Sequence, residues 1–261
     1  MDADRPCPGC GAVIPAGHRF CGKCGHRVEA APASAAPAKT MFFGTMQAPG
    51  RAKLVLIKGE GFDGVSYHLN STEHVAGRLD GAILFPEDTL LSPRHANFVS
   101  QGAQLLVRDE GSKNGVFLRI KQPVALEAGD TFLVGEQLLR AEASMDEAPI
   151  VPDHEGTYFY GSPRRPCLFR LVQILRGGQI GNVYRARSDS LGIGRDGNDV
   201  NFPQDPFISG RHARVDLAGG AFTLTDLGSK NGTFVRIKAD APLVHGDYVF
   251  LGQQLLRVEV T

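Results

Sequence analysis

The sequence predicts an all-β protein, with two β-sandwiches in tandem behind a small cysteine-bearing segment. Three observations carry this expectation. Most of the chain is a repeat at a constant offset of 117 residues. Within each copy, short runs of β-branched and aromatic residues are separated by Gly, Pro, Asn and Asp at intervals of about 8–12 residues, the pattern of a sandwich. Four of the five cysteines stand in two close pairs near the front. The 32 Gly and 16 Pro among 261 residues also point to many turns and to β architecture rather than helical bundles.

Charge and hydropathy argue against several functions. Residues 1–28 hold four Lys/Arg against two Asp/Glu, 51–143 ten against twelve, and 167–261 eleven against nine. None of these has the basic stripe by which nucleic-acid binders usually show themselves. No apolar run approaches the roughly 18 residues that span a bilayer. The opening Met-Asp-Ala-Asp is wrongly charged for a secretory signal, and no apolar core follows it. A cytosolic protein is expected, with cysteines that are reduced and spaced for metal rather than for disulfides.

Residues 1–28 contain Cys7-x2-Cys10-x10-Cys21-x2-Cys24. Zinc takes four thiolates in a tetrahedron, and two C-x2-C turns supply them. Gly11 and Gly25, one after each pair, let the backbone fold tightly around the sulfurs. The segment resembles the short zinc ribbons that head many bacterial proteins. Four thiolates close the coordination shell, so a structural Zn2+ is expected, and His18 and His26 are read as surface residues or neighbours of the ligands rather than as ligands. A thioredoxin-like role would need a βαβ context that is absent.

Residues 29–50 begin as an Ala/Pro tether, too poor in large apolar groups to fold. They end in an apolar island, Thr40-Met41-Phe42-Phe43-Gly44-Thr45-Met46, whose threonines Thr40 and Thr45 are candidate phosphorylation sites.

The first copy, 51–143, and the second, 167–261, share 28 identities in 64 ungapped positions between 77–140 and 194–257. A period this long marks whole domains rather than solenoid units. Strands are expected at Leu54–Ile57, Gln104–Val107, Val116–Ile120 and Thr131–Val134. Residues 136–148 can be drawn as a helix, but the counterpart 253–261 reads as a strand. The stretch between the copies, 144–166, is first acidic and then Pro/Arg-containing. Cys167 has no sequence partner and is expected to fill core space.

The polar identities shared by the copies fall between strands, where packing does not demand them. They run Gly-Arg (77–78, 194–195), Ser-x-Arg-His-Ala (92–96, 209–213) and Asp-x-Gly-Ser-Lys-Asn-Gly (109–115, 226–232). An Arg fork matches a phosphate bidentately, a Ser adds a neutral donor, and an Asn can donate to and accept from a peptide backbone. A phosphorylated side chain, carrying about −1.5 to −2 charge and three strong acceptors, suits such a set.

In this order and spacing the motifs resemble the forkhead-associated (FHA) family, over about 190 of the residues. The resemblance implies a phosphothreonine-binding adaptor in Ser/Thr kinase signalling, with no enzymatic activity. It implies that Arg195 and Ser209 grip the phosphate with Arg211 nearby. Asn231 reads the adjoining main chain and Lys230 lines the pocket wall. In the first copy the counterparts are Arg78, Ser92, Arg94, Asn114 and Lys113, and His95 and His212 correspond to the structural histidine that braces the loops. Preference for threonine comes, in the family, from a small apolar pocket for its methyl group. The second copy is the closer match: the first has Val116 where the family has Thr (Thr233), and Pro93 after Ser92.

Catalysis is not expected. Ser, His and Asp recur in each copy, but neither shows a Gly-x-Ser-x-Gly elbow. Gly177, Gly178 and Gly181 lack the Lys-Ser/Thr of a phosphate-cradling loop. The expected partners are phosphothreonine proteins, including the chain's own phosphorylated Thr40/Thr45 segment in cis or in a second copy. The alternative is a nucleic-acid-linked regulator whose ribbon contacts DNA or RNA while the FHA pair recruits a phosphorylated partner.

Overall fold

A computed structural model describes residues 4–16, 18, 20–27, 52–58, 62–144 and 149–260. Thr40, Thr45 and the tether therefore lie outside the described residues. The chain divides into two compact units, 1–47 and 48–261. In the first, β1 (Arg5–Pro6) pairs antiparallel with β2 (Val13–Ile14). Each C-x2-C turn closes by a backbone bond, from Gly11 N–H to the Cys7 carbonyl (2.8 Å) and from Gly25 N–H to the Cys21 carbonyl (2.9 Å).

The larger unit is all strand and loop among its described residues. The first repeat supplies β3 (Ala52–Lys58), β4 (Phe62–His68), β5 (Glu73–Gly77), β6 (Ile83–Leu84), β7 (Ala96–Gln101), β8 (Gln104–Asp109), β9 (Val116–Arg119), β10 (Val124–Leu126), β11 (Thr131–Val134) and β12 (Gln137–Ala143). The second supplies β13 (Phe169–Ile174), β14 (Ile180–Ala186), β15 (Ser190–Gly194), β16 (Val200–Asn201), β17 (Ala213–Ala218), β18 (Ala221–Asp226), β19 (Thr233–Arg236), β20 (Ala241–Leu243), β21 (Tyr248–Leu251) and β22 (Gln254–Val260). The alternation of apolar and polar residues won over helix propensity at 137–143: Leu139 and Ala141 are fully buried while their neighbours are not.

The repeats and the sandwiches do not coincide. One ten-stranded sheet runs β14-β13-β12-β11-β19-β9-β21-β22-β3-β4, and a five-stranded sheet covers each half of it. One cover sheet is β20-β8-β7-β5-β6, the other β10-β18-β17-β15-β16. Strands β10–β12 of the first repeat thus complete the sandwich of the second, and β20–β22 complete the sandwich of the first. The cores follow the same division. One packs Leu54, Phe98, Val107 and Val116 with Val249, Leu251 and Leu256, and the other packs Phe132, Leu139 and Ala141 with Phe169, Ile193 and Leu224. Each fully buried Phe or Leu here contributes about 1.5–3 kcal/mol, so neither core is closed by one repeat alone.

The exchange pivots on β9 and β19, adjacent and antiparallel at the centre, with Leu118 opposite Val235. Ile120 N–H donates to the Thr233 carbonyl and Ile237 N–H to that of Val116, both 2.9 Å, so each chain segment departs from the ladder at equivalent points. Residues 144–168 leave from Ala143 and return at its pairing partner, Phe169. Cys167 sits at intermediate depth and donates to the Phe169 carbonyl (3.2 Å) rather than filling a core.

Candidate phosphopeptide sites and a candidate metal centre

Each repeat gathers its repeated polar residues at one end of its sandwich. Gly77 ends β5 against the next loop, and the Pro93 carbonyl stands where a Cβ would be; Gly194 meets the Gly210 carbonyl in the same way. Only glycine permits that approach. It draws the following Arg N–H onto the loop: Arg78 to the Ser92 carbonyl and Arg195 to the Ser209 carbonyl, both 3.0 Å. The guanidinium groups also touch that loop. Arg78 Nε donates to the Leu91 carbonyl (3.2 Å), and Arg195 Nη2 to those of Ile208 (2.7 Å) and Pro206 (3.4 Å).

The Ser-Lys-Asn-Gly loop closes onto the same place. Ser92 Oγ accepts from Lys113 N–H (3.0 Å) and Ser209 Oγ from Lys230 N–H (3.1 Å). Asn114 Nδ2 donates to the Leu90 carbonyl (2.6 Å), and Asn231 Nδ2 to that of Phe207 (2.7 Å). Arg, Ser, Lys and Asn are thereby brought together in both repeats.

His95 and His212 are fully buried beneath these loops. Nδ1 of His95 accepts from Ser92 N–H (3.0 Å), which puts the proton on Nε2, facing the Gly115 carbonyl at 2.9 Å. His212 repeats this with Ser209 N–H (3.0 Å) and the Gly232 carbonyl (3.1 Å). Each ring ties two loops together, and both its nitrogens face backbone, so neither bonds the serine hydroxyl as a catalytic base would.

Burial holds both histidines below the ordinary range, the loop carbonyl opposing it. His74, which accepts from Asn70 and Ser71 N–H, is lowered by burial too. All three take up a proton more readily in the unfolded chain. Their contribution is therefore intact above the ordinary value near 6.5 and is lost as the pH falls below it. Denaturant midpoints of the full chain are expected to fall between about pH 6.5 and pH 5; a flat or rising profile would contradict the neutral assignment.

The two sites differ in their supports. Burial pushes the Asp226 carboxyl up, but the Ser229 and Thr233 hydroxyls and the N–H groups of Ser229 and Gly228 outweigh it and hold it below the usual range. Thr233 Oγ1 and Ser229 Oγ both donate to Asp226 Oδ2 at 2.7 Å. In the first site Val116 replaces the threonine, and Asp109 Oδ2 instead faces Arg236 of the second repeat at 3.9 Å. Thr233→Val should cost about 1–3 kcal/mol of stability in urea denaturation, since the half-buried Asp226 loses a donor.

Charge differs as well. Arg94 pairs with Asp80 (3.3 Å) and Glu110 (3.4 Å). The equivalent positions in the second repeat are Gly197 and Leu227, and among the described residues no carboxylate pairs with Arg211.

In the smaller unit the Sγ atoms of Cys7, Cys10, Cys21 and Cys24 all lie within 4.8 Å of one another. Two pairs, Cys7–Cys24 and Cys10–Cys21, are 3.6 Å apart. Tetrahedral zinc with bonds of about 2.3 Å places its sulfurs about 3.8 Å apart, so the four thiols fit a metal site. Cys7 and Cys21 are buried; Cys10 and Cys24 are exposed.

Sequence reasoning did not find the residues that brace each site from the opposite repeat: Arg236, Gln253 and Gln254 for the first, Arg119, Glu136 and Gln137 for the second. Some are identical between the copies, so the repeat signal was present, but it could not say which copy each one serves.

Comparison with known proteins identifies the family. The profile described as FHA domain matches residues 74–135 and 191–252. The glycogen accumulation regulator GarA of Mycolicibacterium smegmatis is 32% identical over 109 residues, covering 41% of this chain and 68% of GarA. The chain belongs to the FHA family. Among solved structures, an FHA domain from a study of phosphothreonine-dependent FHA interactions is 30% identical, covering 31% of this chain and 86% of that one, with a TM-score of 0.20. The FhaA FHA domain, complexed with the intracellular domain of Rv3910, is 27% identical, covering 34% and 97%, with a TM-score of 0.20. FHA domains bind phosphothreonine peptides, and this chain carries two of them in tandem. Among the described residues no helix is long and apolar enough to cross a membrane.

Proposed function

We propose that the protein is a non-catalytic cytosolic adaptor of Ser/Thr kinase signalling that reads phosphothreonine at two sites. The observation that carries this is the convergence, in both repeats, of an Arg, a Ser, a Lys and an Asn on one loop cluster. In this reading the guanidinium groups of Arg78 and Arg195 donate to the phosphate, and so do the Ser92 and Ser209 hydroxyls. Arg94 and Arg211 add charge at the rim, and Lys113 and Lys230 line the wall. Asn114 and Asn231, each anchored through Nδ2, offer Oδ1 to a peptide N–H beside the phosphothreonine. Backbone capture of both imidazole nitrogens and the regulatory name of GarA support the absence of catalysis.

The second site is the tighter one. Thr233 fixes its loop, and Arg211 is not neutralised as Arg94 is. Four thiolates hold a structural Zn2+ in the ribbon, and phosphorylated Thr40 or Thr45 is a ligand for either site in cis or from a second chain.

An array of peptides differing only in phosphothreonine, phosphoserine and threonine, probed with the full chain, tests the reading. Phosphothreonine spots alone should bind strongly, including a peptide spanning residues 36–49 phosphorylated on Thr40 or Thr45. Equal binding of the unphosphorylated spots would refute it.

A further inference from the structure

The exchange of β10–β12 for β20–β22 places parts of each repeat beneath the other's peptide loops. The guanidinium of Arg236 lies directly over Gly115 and approaches Asp109 Oδ2 (3.9 Å), clamping the loop that carries Lys113 and Asn114. Reciprocally, Arg119 of the first repeat lies over Gly232, beside Asn231, with its guanidinium 5.3 Å from the centre of the Tyr248 ring.

A second brace supports the facing loop. Asp88, almost fully buried, accepts from Gln253 N–H (2.7 Å) and Gln254 Nε2 (2.8 Å) of the other repeat's last hairpin. Its other oxygen accepts from Leu90 N–H (3.0 Å), and the Leu90 carbonyl in turn receives Asn114. Asp205 repeats the chain: Glu136 N–H and Gln137 Nε2 (both 2.8 Å), then Phe207 N–H (2.9 Å), whose carbonyl receives Asn231.

We propose that each repeat completes the other's phosphothreonine site, with Arg236 and the Gly252–Gln254 hairpin as positioning elements for the first site and Arg119 and the Gly135–Gln137 hairpin for the second. The two sites are then one folding unit with a fixed spacing. Along the central ladder Gly115 and Gly232 are about 20 Å apart, so two phosphothreonines fewer than about six residues apart cannot engage both. This assignment rests on the phosphothreonine reading above, but the exchange can be tested without it.

The test uses the full chain and a fluorescein-labelled degenerate phosphothreonine peptide mixture. In an Arg195→Ala background, which reports the first site, Arg236→Ala should weaken binding about tenfold and Arg119→Ala should not. In an Arg78→Ala background the roles should reverse. The unaffected site is the internal control, because a general loss of stability would weaken both. Weakening at the variant's own repeat instead would overturn the proposal.

Disulfide trapping decides the exchange even if no peptide binds. Lys53 pairs with Glu259 (2.8 Å) across β3 and β22, and the Arg170–Glu142 ion pair is its equivalent across β13 and β12. With oxidised glutathione, Lys53→Cys/Glu259→Cys should form a link within one chain and Lys53→Cys/Glu142→Cys should not. The opposite result, or a 53–259 link between two chains, would overturn the assignment, whereas trapping as expected in a chain that binds no phosphothreonine would refute the functional reading alone.

Discussion

Arg195→Ala is expected to weaken phosphothreonine binding at the second site about a hundredfold, the effect of losing about 3 kcal/mol of charge-assisted hydrogen bonding. The guanidinium is held by Nη2 against the Ile208 and Pro206 carbonyls. Among the described residues, Nε and Nη1 donate to no protein acceptor. The Nε and Nη1 N–H groups are left to donate to phosphate oxygens, and the loop has already ordered the side chain. Arg195→Lys should fall between wild type and alanine, because it keeps the charge and loses the loop anchor and the planar array of donors. Arg78→Ala should act in the same direction on the first site. Fluorescence titration of the full chain measures both, and an Arg195→Ala chain that bound at wild-type strength with Arg78 also replaced would place the phosphate elsewhere.

Chelation is expected to unfold residues 4–27 altogether. Among the described residues of that unit, the apolar cluster is Cys7, Ile14 and Cys21 with Ala12 beside it. Ile14, its one large aliphatic side chain, contributes about 1.5–3 kcal/mol, which ordering the backbone of two or three residues already consumes at about 1–2 kcal/mol each. Structural zinc supplies about 10–16 kcal/mol in comparable peptides. Adding a chelator, or replacing Cys21 by Ser, should release one zinc ion per chain and collapse the amide dispersion of the ribbon in NMR spectra. Binding at the two FHA sites should persist. A ribbon that kept its dispersion without metal would show that packing alone sustains it.

Much of this was legible in the sequence because the signals are local. Alternation at Leu139 and Ala141 marked the strand, the Cys pairs marked the cluster, and the spacing of Arg195, Ser209 and Asn231 marked residues that the loops bring together. The strand exchange was not legible, for a physical reason. The departure points are nearly the same in both copies: Phe117 and Phe234, Arg119 and Arg236, Ile120 and Ile237, Lys121 and Lys238. Lys53 can meet Glu142 or Glu259 with the same chemistry, and Asp88 can cap either hairpin. A repeat makes the two pairings chemically equivalent, and only chain geometry chooses between them. The backbone carbonyls that hold Arg78 and Arg195 were equally invisible, since every residue has one.

The central claim is two phosphothreonine sites on one chain, each built on an arginine and an asparagine. Calorimetric titration of the full chain with a phosphothreonine peptide selected on the array tests it most directly. The predicted result is two equivalents bound per chain, one after either Arg78→Ala or Arg195→Ala, and none after both. Binding that persists in the double variant, or that is as strong for the unphosphorylated peptide, would contradict it.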